Sequence, residues 1–263
     1  MKAFQGLIRK ELKLSKNLFL FSLLAMFVIV LLGLGLERYF QAPEIFTIIT
    51  VTVFFMHVLF IPACLFNSLK TEAQTQLWLH NPNSGSILFL AKLLSCIIYF
   101  LCSIVIAFIL AQLGMNHAIS HEVITDLPIT QSLSNLWLSS FIIFFISIFM
   151  GIWLLLYWSF YHALKNIPII RFLRWPIMIA SWLFITFVEN YLLNQPWYQK
   201  IKKLGTIQID SIPFIRIESG GNSFTAGVNN TVEFSIMNGV IYTALTVSVF
   251  ALAVWLLERK VEV

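Results

Sequence analysis

Six apolar stretches dominate this chain, and each is long enough to cross a bilayer as a helix, which takes about 20 residues. They lie at about residues 17–36, 45–66, 87–113, 136–160, 172–193 and 234–257. Only 11% of the residues are charged and 59% are hydrophobic, whereas soluble domains carry about 25% charged residues. The sequence therefore predicts an all-α, polytopic integral membrane protein with six transmembrane helices in a single membrane domain, residues 1–263. It excludes a soluble globular enzyme.

The distribution of positive charge sets the predicted orientation. With a cytoplasmic amino terminus, twelve of the 17 Lys and Arg residues lie on the cytoplasmic side, as the positive-inside rule requires. Six spans then place both termini in the cytoplasm, in a multi-pass protein of the cell membrane. The net charge of +5 is explained by contact with anionic lipid headgroups, so no nucleic-acid partner is predicted.

Residues 1–16 have the pattern of a basic amphipathic helix that lies in the headgroup plane. Apolar residues recur at helical spacing, and basic residues fill the other face. The apolar positions are Phe4, Leu7, Ile8 and Leu12, and the basic ones are Lys2, Arg9, Lys10, Lys13 and Lys16. Two interpretations stay open: a topology signal alone, or an interfacial elbow that leads into the first span.

The loop between the second and third spans, residues 67–86, carries two structural signals. Residues 71–79 contain neither Gly nor Pro and predict a short helix, with Glu72 in its first turn, where an acidic side chain is favoured. The stretch 81–84, Asn-Pro-Asn-Ser, then ends that helix, and either Ser84 or Ser86 is a candidate cap for the third span.

Three large apolar residues in this loop, Leu77, Trp78 and Leu79, lie outside the predicted spans. An exposed apolar patch of this kind indicates an interaction surface. The alternative is that the three side chains rest on lipid headgroups, where Trp is common.

The amphipathic amino terminus, the six spans and this loop together resemble the permease subunit of type-2 ABC transporters, a bacterial exporter class. Those permeases often carry an acidic residue, a leucine-rich helical turn, Pro-x-Ser and a Lys that opens the third span. This chain has, in that order, Glu72, Leu77-Trp78-Leu79, Pro82-Asn83-Ser84 and Ala91-Lys92-Leu93-Leu94. The resemblance covers most of the chain as topology and residues 72–94 as sequence.

The resemblance implies that the loop is a coupling helix docking on a separate cytoplasmic ATP-binding subunit. The candidate contacts are Glu72, Leu77, Trp78, Leu79, His80 and Pro82. It also implies a second permease copy, or a related permease, and export of a hydrophobic or amphipathic substrate such as a peptide, antibiotic or lipid. The chain has no GxxxxGK[ST] phosphate-binding loop, so we expect neither enzyme activity nor a cofactor in this subunit.

The second internal loop, between the fourth and fifth spans, contains Lys165, Arg171 and Arg174. These residues have two interpretations. They make a smaller contact with the ATPase, or they anchor the spans as ordinary positive-inside charges. Arg171 and Arg174 are three residues apart and are expected to share a helix face.

The external loop, residues 194–233, motivates a rival function. Its segments 207–210 and 214–218 alternate in the manner of strands, and residues 219–222 are a turn signal, so a small hairpin is expected. A loop of this size favours the alternative of a non-transporting membrane module, such as a sensor, immunity protein or assembly factor, that binds a ligand outside the cell.

Other reactive residues give weaker signals. Cys64, Cys96 and Cys102 lie within or beside apolar stretches without CxxC spacing, so we expect buried, unpaired thiols and no metal site. His57 lies in the middle of the second span and is expected to be neutral and hydrogen-bonded. Because the spans contain no row of carboxylates, proton-coupled transport has little support.

Overall fold

The computed structural model describes residues 2–75, 84–121, 129–165, 171–202, 204–209, 214–216, 225–227 and 232–261. Within them the chain is dominated by α-helices. Six helical segments are long and apolar enough to cross a membrane: Phe4–Phe40, Glu44–Gln74, Gly85–Ser120, Leu136–Lys165, Arg174–Leu193 and Ile236–Arg259. The prediction of an all-α multi-pass membrane protein with six spans is confirmed at this level.

The helices of the first four spans extend beyond the apolar stretches that predicted them, whereas α6 and α8 lie within theirs. They are α1 (Lys2–Phe40), α2 (Glu44–Phe55), α3 (Phe60–Thr75), α4 (Gly85–Ser120), α5 (Ile129–Lys165), α6 (Arg174–Leu193), α7 (Pro196–Lys202) and α8 (Ile236–Leu256). The predicted short helix at 71–79 is not separate, because α3 runs unbroken from the second span to Thr75. The rest of that predicted helix lies outside the described residues.

The amino-terminal segment and the first span form one continuous helix of 39 residues, so no helix break separates them at residue 16. The physical reason is local. Residues 7–32 contain neither Gly nor Pro, and nothing therefore interrupts the hydrogen-bond ladder at the end of the basic segment.

The second span is interrupted near its middle by a 3-10 turn, Met56–Leu59, between α2 and α3. Pro62 follows this turn and has no N–H to donate. Ser147 of α5 inserts its hydroxyl here: Ile61 N–H donates to Ser147 Oγ (3.3 Å), and Ser147 Oγ–H points to the His57 carbonyl at 3.5 Å. A neighbouring side chain thus replaces a helical hydrogen bond, which is a recognised cause of helix kinks.

The loop that was predicted to be external, residues 194–233, contains the two predicted strands, but they do not pair with each other. β1 (Thr206–Ile209) pairs antiparallel with β4 (Val232–Ser235), and β2 (Phe214–Arg216) pairs antiparallel with β3 (Thr225–Gly227). The turn predicted at residues 219–222 lies outside the described residues. The loop also begins with a helix that the sequence patterns did not predict, α7, which starts at Pro196. Proline is favoured at a first helical position.

The chain forms two compact units. The first contains α1, α2 and α3, α4 from Leu90 onward, and α5 up to Gly151; its core includes the fully buried Phe54 and Phe100. The second contains α6, α7 and α8. No described residue of α6 is buried, as expected for an apolar helix that faces lipid.

One cysteine prediction is wrong. Cys64 of α3 and Cys96 of α4 form a disulfide, with their Cα atoms 5.8 Å apart, a separation that suits such a bond. The sequence could not show this pairing because the two residues are 32 positions apart and only helix packing brings them together. Cys102 is a free cysteine, but it is exposed rather than buried.

The start of the second span crosses α4 very closely at Gly114. Thr47 Oγ1–H donates to the Gly114 carbonyl at 2.9 Å, and Thr47 and Thr50 are both buried. A Cβ built on Gly114 would overlap Thr50 Oγ1. Only glycine fits this crossing, in keeping with the small residues that let membrane helices approach.

We predict that Gly114→Ala destabilises the protein by about 1–3 kcal/mol, because the added methyl group overpacks the crossing. The measurement is thermal unfolding of the purified chain in detergent. The matched control is Gly35→Ala, since a Cβ on this helical glycine meets nothing within 4 Å. Equal melting temperatures for the two variants would contradict the close crossing.

Candidate functional site

Five polar side chains meet where the amino-terminal part of α1, the last turns of α3 and the beginning of α4 come together. We call this group the ion-pair cluster: Lys10, Glu11, Ser68, Glu72 and Lys92. Glu11, Ser68, Glu72 and Lys92 are each at least 97% buried, and Lys10 covers the group from the outside. All five residues belong to the first unit.

Lys92 is the centre of the ion-pair cluster. Its ammonium group donates to Glu11 Oε2 at 3.0 Å and to Ser68 Oγ at 2.8 Å, and it lies 2.9 Å from Glu72 Oε2. A lysine ammonium has three protons, so all three have an acceptor. A buried charge is tolerated when it is both paired and fully hydrogen-bonded, and Lys92 meets both conditions.

Each of the two carboxylates accepts a further hydrogen bond. Glu11 Oε2 also accepts from the Ser68 hydroxyl at 2.8 Å, and Glu72 Oε1 accepts from Lys10 Nζ at 2.8 Å. Lys10 Nζ lies 3.6 Å from Glu11 Oε1. Two lysines and two glutamates give the ion-pair cluster no net charge, which limits the electrostatic cost of burying it.

Helical spacing explains how the cluster is assembled. Leu7, Glu11 and Ser15 are four residues apart and form the buried line of α1; Ser68 and Glu72 have the same spacing on α3. Residues four apart lie on one face of a helix. A hydrogen bond from Tyr99 Oη to the Leu12 carbonyl (2.7 Å) fixes α1 against α4 one turn further along.

A second polar group lies midway along the spans of the first unit. His57 Nδ1 bonds the Val53 carbonyl at 2.9 Å, and His57 Nε2 lies 2.9 Å from Ser103 Oγ. Because a carbonyl only accepts, Nδ1 carries the proton, and a neutral ring then accepts from the serine through Nε2. The prediction that His57 is hydrogen-bonded within its span is confirmed.

A third polar group lies at the far ends of α1 and α4. Glu37 Oε1 is 3.1 Å from His117 Nε2, and His121 lies one turn beyond His117. Glu11 and Glu37 are 26 residues apart on α1, and Lys92 and His117 are 25 apart on α4. At 1.5 Å per residue, both pairs span about 38 Å. This separation exceeds the roughly 30 Å of a hydrocarbon core, so both charged groups fit at its boundaries.

The predicted ATPase-contact residues have different outcomes. Glu72 is described and lies in the ion-pair cluster rather than on a loop surface. Leu77, Trp78, Leu79, His80 and Pro82 all lie outside the described residues. Thr75, at the end of α3, and Ser84, directly before α4, are the described residues on either side of them.

The second internal loop is described only at its ends. Lys165, the last residue of α5, is exposed. Arg171 begins a 3-10 turn, Arg171–Leu173, and Arg174 begins α6, so the two arginines do not share one α-helix as the spacing had suggested. The Arg174 guanidinium lies 4.9 Å from the centre of the Tyr161 ring, a cation–π contact.

The predicted interfacial residues are placed on both faces of α1. Leu7 is buried, and Phe4, Ile8, Lys10 and Leu12 are half-buried, whereas Arg9 and Lys13 are exposed. The buried face contacts protein through the ion-pair cluster. The interfacial elbow itself stays a prediction.

Sequence reasoning missed Glu11 and Ser68. The signal for Glu11 was present: an acidic residue stands four positions after Leu7, on the apolar side of an otherwise basic helix. A charge on an apolar stripe requires a buried partner. Ser68 gave no such signal, because serines are frequent near span ends.

Comparisons with known proteins assign the chain to no family. No family model matches it, and no solved structure matches it. The chain is similar to the uncharacterized protein YhcE of Bacillus subtilis (strain 168), with 26% identity over 272 residues that cover all of both chains. That name states no activity, so the functional argument rests on the residues of this chain.

We predict that Lys92→Met destabilises the protein by about 3–5 kcal/mol, because it leaves two buried carboxylates with one partly exposed cation. Thermal or denaturant unfolding in detergent measures the effect. The matched control is Lys70→Met on the same end of α3, since Lys70 is exposed. The double variant Lys92→Met/Glu11→Gln removes one charge of each sign and should be more stable than Lys92→Met. Equal stability of Lys92→Met and Lys70→Met would show that the cluster contributes nothing.

Proposed function

We propose that this chain is the membrane-spanning permease subunit of an ATP-driven exporter of the type-2 ABC class. Two such subunits, or this one and a related permease, form the translocation path, and a separate cytoplasmic ATPase supplies the energy. The cargo is a hydrophobic or amphipathic molecule, such as a peptide, antibiotic or lipid. The observation that carries the proposal is the ion-pair cluster beside the segment with the family-like sequence.

The position of the cluster supports a mechanical role for that segment. Glu72 is three residues before the end of α3, and Lys92 is seven residues after the start of α4. The 2.9 Å contact between them joins the two helices that flank residues 76–83. A force applied to this segment therefore acts on α3 and α4 as a pair, not on a loose connection.

Glu11 extends the same connection to the first span. Because α1 is continuous from Lys2 to Phe40, the contact between Glu11 and Lys92 links the proposed ATPase contact to a helix that reaches the opposite boundary. In the proposed cycle, ATP binding closes the ATPase pair, and α1, α3 and α4 move together to switch access from inside to outside. The free energy comes from contacts that differ between the two states.

The composition of the spans supports an external energy source. Residues 17–36, 45–66 and 93–113 contain no Asp, Glu, Lys or Arg. His57 is engaged with Val53 and Ser103. Proton-driven carriers rely on chains of Asp, Glu and His residues inside the membrane, and of these three residue types the segments contain only His57.

The proposed topology is based on the distribution of Lys and Arg along the sequence. The ion-pair cluster then lies at the cytoplasmic boundary and Glu37 at the outer one, with both termini in the cytoplasm. The loop after α6 becomes external. A non-transporting module with a ligand-binding external loop is the rival function, and it makes no use of residues 76–83.

We predict that Trp78→Asp and Leu79→Asp each reduce co-purification with the partner ATPase by at least about tenfold, since buried aromatic and apolar anchors carry most interface energy. The experiment co-expresses the chain with any Walker-motif ATPase whose gene lies beside its own, and measures both co-purification and ATPase stimulation in reconstituted vesicles.

Matched controls come from the proposed external loop. Trp197 and Leu204 are exposed, at 53% and 55%, so Trp197→Asp and Leu204→Asp repeat the same chemical changes there. They should leave ATPase binding unchanged. Loss of binding in all four variants, or no association of the wild-type chain with such an ATPase, would overturn the proposed function in favour of the rival.

A further inference from the structure

Glu37, His117 and His121 bring three metal-binding side chains together at the ends of α1 and α4 opposite to the ion-pair cluster. One donor atom from each residue lies within 4.8 Å of the other two. All three residues belong to the first unit. Their donors are one carboxylate and two imidazoles, a set that Zn²⁺ accepts readily.

Helical spacing brings the two histidines together. His117 and His121 are one helical turn apart, and the His121 N–H donates to the His117 carbonyl at 3.1 Å. Their rings lie 4.4 Å apart, so they share a face at the end of α4. Glu37 approaches this face from the last turn of α1, with Oε1 3.1 Å from His117 Nε2.

Two atoms of the group lack a hydrogen-bond partner. Glu37 Oε2 and His117 Nδ1 are buried, and neither bonds any described residue. Buried polar atoms are nearly always satisfied by protein, water or an ion. Each of these two side chains thus has one buried polar atom that the described residues do not satisfy, and a bound ion or water would engage it.

The distances suit a small metal ion. With metal–ligand bonds of 2.0–2.1 Å, the donors of a tetrahedral zinc site stand about 3.3 Å apart. Glu37 Oε1 and His117 Nε2 are 3.1 Å apart, so these two atoms already stand at about the separation of neighbouring zinc ligands. The exposed His121 offers the third ligand atom, which lies within 4.8 Å of the other two. Because three protein ligands leave one position open, a water molecule or a small anion would fill it.

We propose that Glu37, His117 and His121 form a binding site for a divalent transition-metal ion, with Zn²⁺ as the favoured ion. The site joins the far ends of the first and third spans. The sequence held one sign that sequence reasoning missed: His117 and His121 have the H-x3-H spacing of a zinc-ligand pair. Glu37 could not be linked to them, because it lies 80 positions before His117 and only helix packing brings it close. The proposal stands on this geometry and does not depend on the proposed transport function.

The test is isothermal titration of Zn²⁺ into the full chain, purified in detergent, with any polyhistidine tag removed and bound metal stripped by chelation. We expect about one Zn²⁺ per chain. His121→Ala and Glu37→Gln should weaken binding at least about tenfold, because even residues one step removed from a metal contribute this much. Co²⁺ substitution gives a second readout, the visible absorption of a tetrahedral site, which these variants should abolish.

Two controls separate metal binding from packing. Asn116→Ala changes an exposed polar residue on the same helical end and should bind Zn²⁺ like the wild type. His121→Ala should keep the metal-free melting temperature, because His121 is exposed. Absence of Zn²⁺ binding by the wild-type chain, or equal affinity in His121→Ala, Glu37→Gln and Asn116→Ala, would overturn the proposal and leave Glu37 and His117 as an ion pair only.

Discussion

The structure of the first unit depends on one buried ammonium group. Lys92 is almost fully enclosed, and it is stable there only because Glu11, Glu72 and Ser68 each accept one of its protons. Each acceptor comes from α1 or α3, so satisfying the lysine fixes three helices relative to one another. Apolar contacts between helices are weakly directional in lipid. The directional contacts of the ion-pair cluster therefore fix the orientation of these three helices.

The membrane itself explains why charge is concentrated at the two ends of these helices. Between the ion-pair cluster and Glu37, α1 contributes only apolar and uncharged residues over 20 positions, 17–36, and the polar contacts there are serine, threonine and histidine hydrogen bonds. Three such hydrogen bonds follow one another along the second span. They join Thr47 to the Gly114 carbonyl, His57 to Ser103, and the Ile61 N–H to Ser147. Such bonds are tolerated because each donor finds an acceptor inside the protein.

The spans could be predicted from the sequence because each is recognised from its own residues. A run of about 20 consecutive apolar residues indicates a transmembrane helix, whatever that helix packs against. Contacts between distant segments could not. Cys64 pairs with Cys96, and Glu11 meets Lys92, only because α1, α3 and α4 pack side by side. The interfacial elbow was predicted from the spacing of apolar and basic residues over residues 1–16. That pattern does not show whether the helix continues into the first span, as α1 does. Glu72 was predicted to contact an ATPase, whereas its described contacts include two lysines of this chain, which the sequence did not predict.

The central claim is that the ion-pair cluster fixes the helix ends that flank residues 76–83. Hydrogen exchange of backbone amides tests it most directly, because it reports local opening segment by segment. In Lys92→Met, relative to Lys70→Met, the account predicts faster exchange in the last turns of α3 and the first turns of α1 and α4. Exchange around His57 and Glu37 should stay unchanged. Uniform acceleration along all helices, or equal exchange in the two variants, would contradict it.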